Sequence, residues 1–173
     1  MYKRQDYQRD DHNNFFSVST FATEPGKSIP RRMPKFFQAL YCLVVDDVET
    51  KVDPRHVDKV LGLPTWTLET SPGNFQWGFA LDRPVRDQSV AQGLVDALCS
   101  EFIGDMAGVN RLVRLPVGVN GKAKYGPTPF STVLHSYDPT IRLSVETAID
   151  ALAATKASVA DTAAAALPPD RDP

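Results

Sequence analysis

The sequence predicts an α+β fold, a mixed sheet flanked by helices. Three observations carry that prediction. Tyr41-Cys42-Leu43-Val44-Val45 is a continuous apolar run closed by Asp46-Asp47, the pattern of a strand buried on both faces. Trp66 to Thr70 and Phe75 to Leu81 are β-rich segments joined by Pro72-Gly73-Asn74, which is turn chemistry. Val90, Leu94, Ala97, Leu98 and Phe102 repeat at the three-to-four spacing of an amphipathic helix. Strands and helices do not alternate strictly, which favours α+β over a parallel doubly wound sheet.

The remaining elements follow in chain order. Phe15 to Phe21 alternates and reads as a strand. Glu24 to Pro34 holds three prolines with Lys27, Arg31 and Arg32, so it reads as an exposed basic loop. Phe36 to Leu40 is expected as a short helix. Asp53-Pro54 opens a helix to about Leu61, with Asp as N-cap and Pro in the first turn, and Gly62 and Pro64 end it. Asp87 caps the helix of residues 90–102, and Gly104 stops it. Arg111 to Leu115 and Phe130 to His135 read as strands, with a turn at Asn120-Gly121. A last amphipathic helix begins near Ser144 with Ala148, Ile149 and Leu152. No internal repeat is present.

The 173 residues suit one domain with tails. Hydrophobic residues make up 42% and charged residues 23%, values of an ordinary globular chain. No apolar run approaches the roughly 18–20 residues of a membrane span, and no secretory leader is visible, so no membrane association and a cytoplasmic location are expected. Cys42 and Cys99 cannot build a disulfide framework, and each lies in an apolar stretch, so buried free thiols are expected. The formal net charge of −2 conceals a pattern. Residues 1–40 are net basic and residues 146–173 net acidic. Within the middle, Asp46, Asp47 and Glu49 form an acidic cluster, while Arg111, Arg114, Lys122 and Lys124 form a basic run. A site that holds a cation through acids and phosphate through bases would cancel its own charge in this way.

Both ends differ from the middle. Met1 to Gln5 resembles the translation of a transposon-end adapter, so residues 1–14 are expected to be a non-native or disordered head. The domain is expected over residues 15–150. Residues 151–173 are rich in Ala and close on Leu167-Pro168-Pro169, which reads as a helix end and linker toward a missing downstream region.

Three segments carry candidate chemistry. Asp46, Asp47 and Glu49 crowd three carboxylates at a strand end, which a divalent cation would relieve, because hard cations take oxygen ligands. If the strand continues, Asp47 and Glu49 share a face; a bulge would bring in Asp46. The hairpin Glu69 to Gly78 presents small and polar residues whose backbone N–H groups could meet a phosphate. Gln76 and Trp77 point to opposite faces. Asp105 lies in a Gly-flanked loop followed by Arg111 and Arg114. Their odd spacing places them on opposite faces of a strand, and one of them could clamp a triphosphate. Together these are the parts of metal-dependent nucleotidyl transfer.

Val45-Asp46-Asp47-Val48, the run Glu69-Thr70-Ser71-Pro72-Gly73-Asn74-Phe75-Gln76-Trp77, and Gly104-Asp105 followed by Arg114-Leu115-Pro116 and Asn120-Gly121-Lys122 resemble the archaeo-eukaryotic primase superfamily. The resemblance is to the RepB-type DNA primase domains of phages and plasmids and spans about Phe15 to Tyr137. It implies an RRM-like primase-polymerase catalytic core that makes short primers on single-stranded DNA from nucleoside triphosphates, with Mg²⁺ or Mn²⁺. By position it implies Asp46, Asp47 and Asp105 as catalytic, metal-binding carboxylates, with Glu49 an additional candidate ligand. It implies that Ser71 and Gln76, with Arg114 and Lys122, face the incoming nucleotide; Arg111 and Asn120 complete the expected nucleotide-binding set. No GKS or GKT phosphate loop occurs, so a helicase motor or priming-accessory domain is expected as a separate partner. A different class, a non-catalytic replication initiator that kept the fold, would differ by binding DNA without needing Asp105.

Overall fold

The computed structural model describes residues 11–102, 108–122 and 127–153. Its strands are β1 (Phe15–Ser17), β2 (Ser19–Phe21), β3 (Phe37–Val48), β4 (Trp66–Ser71), β5 (Asn74–Val85), β6 (Leu112–Arg114), β7 (Val119–Asn120), β8 (Phe130–Ser131) and β9 (Val133–Tyr137). Its helices are α1 (Pro54–Leu61), α2 (Gln88–Glu101) and α3 over 145–153. A five-stranded sheet of order β2-β3-β5-β4-β9 is the centre of the fold. The expected mixed sheet is antiparallel at every pairing between these strands, and among the described residues parallel contacts occur only at the isolated bridges Val48–Val52 and Leu81–Leu143. Two small ladders, β1–β6 and β7–β8, stand beside it.

Local chemistry explains the helices. Asp53 accepts the Arg55 N–H and Pro54 starts α1, while Gly62, at a φ of 75°, ends it. Asp87 accepts the N–H groups of Ser89 and Val90 at the start of α2. The buried face of α2 is Ala91, Leu94, Val95 and Leu98, followed by Phe102; Val90, expected inside, is exposed. Strand residues Leu43, Val45 and Phe79 join Val57, Leu61, Leu94, Leu98, Ala148 and Leu152 in one core. No described helix is long and apolar enough to cross a membrane.

Three expectations change. The helix expected over Phe36 to Leu40 is a 3-10 turn at Pro34–Phe36, and Phe37 begins β3 instead. Pairing of Phe37, Ala39 and Leu40 with β2 outweighs a weak local preference. The strand expected over Phe15 to Phe21 splits at Val18, so that β1 pairs with β6 and β2 with β3. Phe130 to His135 likewise splits at Thr132, whose side chain donates to the carbonyls of Leu115 and Gly118. His12 to Asn14 lie against β6 and β7: the His12 carbonyl accepts the Val119 N–H and the Asn14 carbonyl accepts the Leu115 N–H.

Cys42 is buried, which pushes its thiol up to about 12. Cys99 is only half-buried, a departure from the expectation, and burial raises its thiol too.

Cross-strand partners share a face. Cys42 stands opposite Ala80, Val44 opposite Gly78, Gly78 opposite Trp66, and Leu68 opposite both Gln76 and Leu134. One face of the sheet therefore carries Gln76, Gly78 and Ala80 in a row, with Trp66 lying across Gly78. A Cβ at Gly78 would fall inside the Trp66 indole. Gly78→Ala is expected to cost about 1–3 kcal/mol through overpacking, read as a lower midpoint in urea unfolding. An unchanged midpoint would mean that Trp66 moves off Gly78 freely.

Candidate functional site

β3 and the β4–β5 hairpin assemble the site. The hairpin closes through Pro72-Gly73, with Ser71 paired to Asn74 and Gly73 at a φ of 67°. The Glu69 carboxylate holds the turn by accepting the Gly73 N–H at 2.8 Å. At its far end β3 shifts register between Val45 and Val48, the bulge that brings Asp46 in. Asp47 and Glu49 adopt φ values of 56° and 71°, a left-handed backbone that non-glycine residues rarely take outside turns and functional sites. The Asp47 carbonyl then accepts the N–H groups of Lys51 and Val52 and closes the turn.

The result is a cleft of about 420 Å³ lined by Asp46, Asp47, Ser71, Gln76, Arg114, Asn120 and Lys122, together with Thr50, Lys51, Thr70, Pro72 and Asn74. Its size suits a small ligand. Gln76 is buried and joins the acidic and basic walls. Its amide N–H donates to Asp46 Oδ2 at 3.3 Å, and its carbonyl accepts the Arg114 N–H at 3.3 Å. Asp46 Oδ1 accepts the Asp47 N–H at 3.0 Å. Asp47 Oδ1 accepts from Asn74 at 3.0 Å, and Asp47 Oδ2 lies 2.6 Å from Lys51 Nζ. Partial burial pushes the Asp47 carboxyl up. The hydrogen bonds of Lys51 and Asn74 and the charges of Lys51 and Lys122 outweigh it and hold the group below the usual carboxylate range.

The basic wall is equally fixed. Arg114 donates to Asn13 Oδ1 at 2.9 Å, to the Val119 carbonyl at 3.2 Å and to Asn120 Oδ1 at 2.9 Å, and its guanidinium lies 4.9 Å from the centre of the Phe15 ring. Asn120 is buried and donates in turn to the Thr70 carbonyl at 2.7 Å. Asn120 thus ties the arginine to the hairpin.

Two expected residues lie elsewhere. Glu49 is exposed and does not line the cleft, because the left-handed turn at Asp47 breaks the alternation that would have put the two acids on one face. Arg111 lies behind Asp46 rather than in the cleft. It donates to the Val44 carbonyl at 2.9 Å and to Asp46 Oδ2 at 3.3 Å, and its side chain is 10% exposed. The odd spacing of Arg111 and Arg114 does separate them, one behind the acids and one facing them. Asp105 lies outside the described residues, as does Lys124. Thr50, Lys51 and Asn74 line the cleft as well, beyond the residues the sequence points to. The hydroxyl of Thr50 donates to Asn74 Oδ1 at 2.8 Å, so a turn residue of β3 and a turn residue of the hairpin together orient Asp47.

Among the described residues no group of three His, Cys, Asp or Glu side chains could hold a metal ion. Asp46 and Asp47 alone are a pair of hard oxygen donors, each about one-third exposed in the cleft. That pair suits Mg²⁺ or Mn²⁺, which bind through one or two carboxylates together with substrate phosphates.

No protein-family model matches the chain, and no curated protein matches it by sequence. Solved structures do match its fold. The AEP domain of the cyanophage S-2L primase-polymerase (PrimPol) aligns with a TM-score of 0.60 at 11% identity, covering 81% of this chain and 70% of that one. Primase RepB′ aligns with a TM-score of 0.51 at 17% identity, covering 75% of this chain and 44% of that one. The RepB′ catalytic domain in complex with initiator DNA gives a TM-score of 0.49 at 17% identity, covering 76% and 65%. The chain thus shares the fold of the AEP domain of a primase-polymerase.

Proposed function

We propose that this chain is a template-dependent nucleotidyltransferase that makes short primers on single-stranded DNA. One observation carries the reading: on a primase fold, a single cleft gathers Asp46 and Asp47 on one wall and Arg114 and Lys122 on the other. Two acids and separate cations in one small polar cleft match a triphosphate bound together with a divalent metal. A divalent cation held by Asp46 and Asp47 would neutralise phosphate charge and lower the pKa of the primer 3′-hydroxyl.

The chain's own residues do the rest. Lys122 and Arg114 offset the charge of the triphosphate, and Arg114 does so from a position fixed by Asn13, Asn120 and Phe15. Gln76 sets the orientation of Asp46, and Asn74 that of Asp47. Such pre-set groups stabilise developing charge without reorganising during the reaction. Asp105 is assigned as the third carboxylate on the resemblance in sequence. Lys51 pairs with Asp47 Oδ2 at the mouth of the same cleft, where its charge adds to that of Lys122.

The test is de novo synthesis on an unprimed single-stranded oligonucleotide with labelled nucleotides and Mn²⁺. The expected result is a ladder of short products that Asp105→Ala abolishes while DNA binding is retained. Equal synthesis by Asp105→Ala would remove that residue from the reaction. DNA binding with no product from the unaltered chain would favour a non-catalytic initiator.

A further inference from the structure

The sheet face that carries Gln76 continues past the cleft into a second depression, of about 620 Å³, lined chiefly by apolar and aromatic side chains. Phe16 and Trp66 line it with ring centres 6.1 Å apart. Tyr41, Leu134 and Tyr137 also line it and are 45%, 43% and 63% exposed. Ala80 lies on the same face as Gln76 and four residues along β5, which places the groove about 13 Å from the cleft. Exposed tyrosines at this density on a sheet face are costly to leave against water, and β9, the edge strand, is exposed at all five positions.

The charge of the groove selects among occupants. Asp82 is already engaged: its carboxylate accepts the Val145 N–H at 3.1 Å and lies 3.6 Å from Arg83. Arg142, also in the lining, is exposed and makes no hydrogen bond or ion pair among the described residues. The groove thus offers stacking rings and one uncompensated guanidinium, which complements a ligand that is flat and apolar on one side and anionic on the other. We infer that this groove binds the bases of single-stranded DNA, stacked on Tyr41 and Tyr137 with a backbone phosphate at Arg142, and delivers the strand to the cleft. Aromatic platforms beside a positive charge bind single strands without reading sequence. This inference rests on the nucleotidyltransferase reading for its direction, but its residues are separate from those of the cleft.

The test uses the full chain and a fluorescein-labelled 15-mer of thymidylate, followed by anisotropy. Tyr41→Ala combined with Tyr137→Ala should weaken DNA binding at least about fivefold, with the melting temperature kept because both rings are exposed. Arg142→Gln should lower the salt dependence of binding by about one phosphate contact, a slope change of roughly 0.7. Calorimetry of Mn²⁺ with a nucleoside triphosphate reads the cleft separately, and its affinity should be the same in these variants. Unchanged DNA affinity in the double tyrosine variant overturns the inference and leaves the cleft reading standing. So does a chain that binds Mn²⁺ and nucleotide but not the oligonucleotide. Dimerisation that Tyr137→Ala abolishes, with DNA affinity unaltered, would assign the groove to a second copy of the chain and overturn it as well. Absence of both nucleotide and DNA binding would overturn the two readings together.

Discussion

Asp46→Asn and Asp47→Asn should each reduce nucleotide joining on single-stranded DNA by at least about a hundredfold, the scale on which single charge-stabilising groups act in active sites. Asn keeps the size of the side chain and one acceptor oxygen, so the hydrogen bonds from Gln76 to Asp46 and from Asn74 to Asp47 can persist. What is lost is the formal charge that would hold a divalent cation. Asp47 pairs with the exposed Lys51, so Asp47→Asn should cost folding no more than about 1 kcal/mol; Asp46→Asn takes the carboxylate from the nearly buried Arg111 and should cost more. Synthesis is read by labelled product and folding by thermal melting. A variant that melts normally and synthesises normally would take that carboxylate out of the reaction.

Arg111→Met should lower the turnover of the same reaction about ten- to hundredfold, the usual cost of removing a residue that orients a metal ligand. Arg111, anchored on the Val44 carbonyl by one N–H, donates to Asp46 Oδ2 with another, which helps to hold the rotamer that faces the cleft. Its removal also takes a positive charge away from Asp46. The Mn²⁺ concentration for half-maximal rate should therefore not rise even as turnover falls. Arg111→Lys keeps the charge but not the two-pronged geometry, and should recover only part of the rate. Loss of melting temperature with full recovery by Lys would instead mark Arg111 as a packing residue. Arg111 thus acts as a positioning residue through Asp46, and not as the nucleotide contact expected of it.

The parts of the site written in local chemistry were legible from the sequence. Asp53-Pro54, Asp87 and Pro72-Gly73 each dictate a cap or turn within a few residues, and α1, α2 and the β4–β5 hairpin appear where those signals stand. The acids at the end of an apolar strand and the two arginines at odd spacing also translated into one cleft and its rear support. Features set by distant pairing were not legible. Phe37 to Leu40 could serve a helix or a strand, and only β2 decides it. Continued strand alternation would make Glu49 a further ligand, and the left-handed residues Asp47 and Glu49 end that alternation. Lys51 and Thr50 reach the site through that same turn, which no local rule announces in a segment without Gly or Pro.

The central claim is that the cleft joins nucleotides with loss of pyrophosphate. The direct measurement incubates the full chain with a single-stranded oligonucleotide, a nucleoside triphosphate labelled at the α-phosphate and Mn²⁺, and counts pyrophosphate released against nucleotide joined. One pyrophosphate per joined nucleotide, with neither product from Asp46→Asn, is the predicted result. Triphosphate left unconsumed, or an oligonucleotide shortened instead of copied, would contradict it.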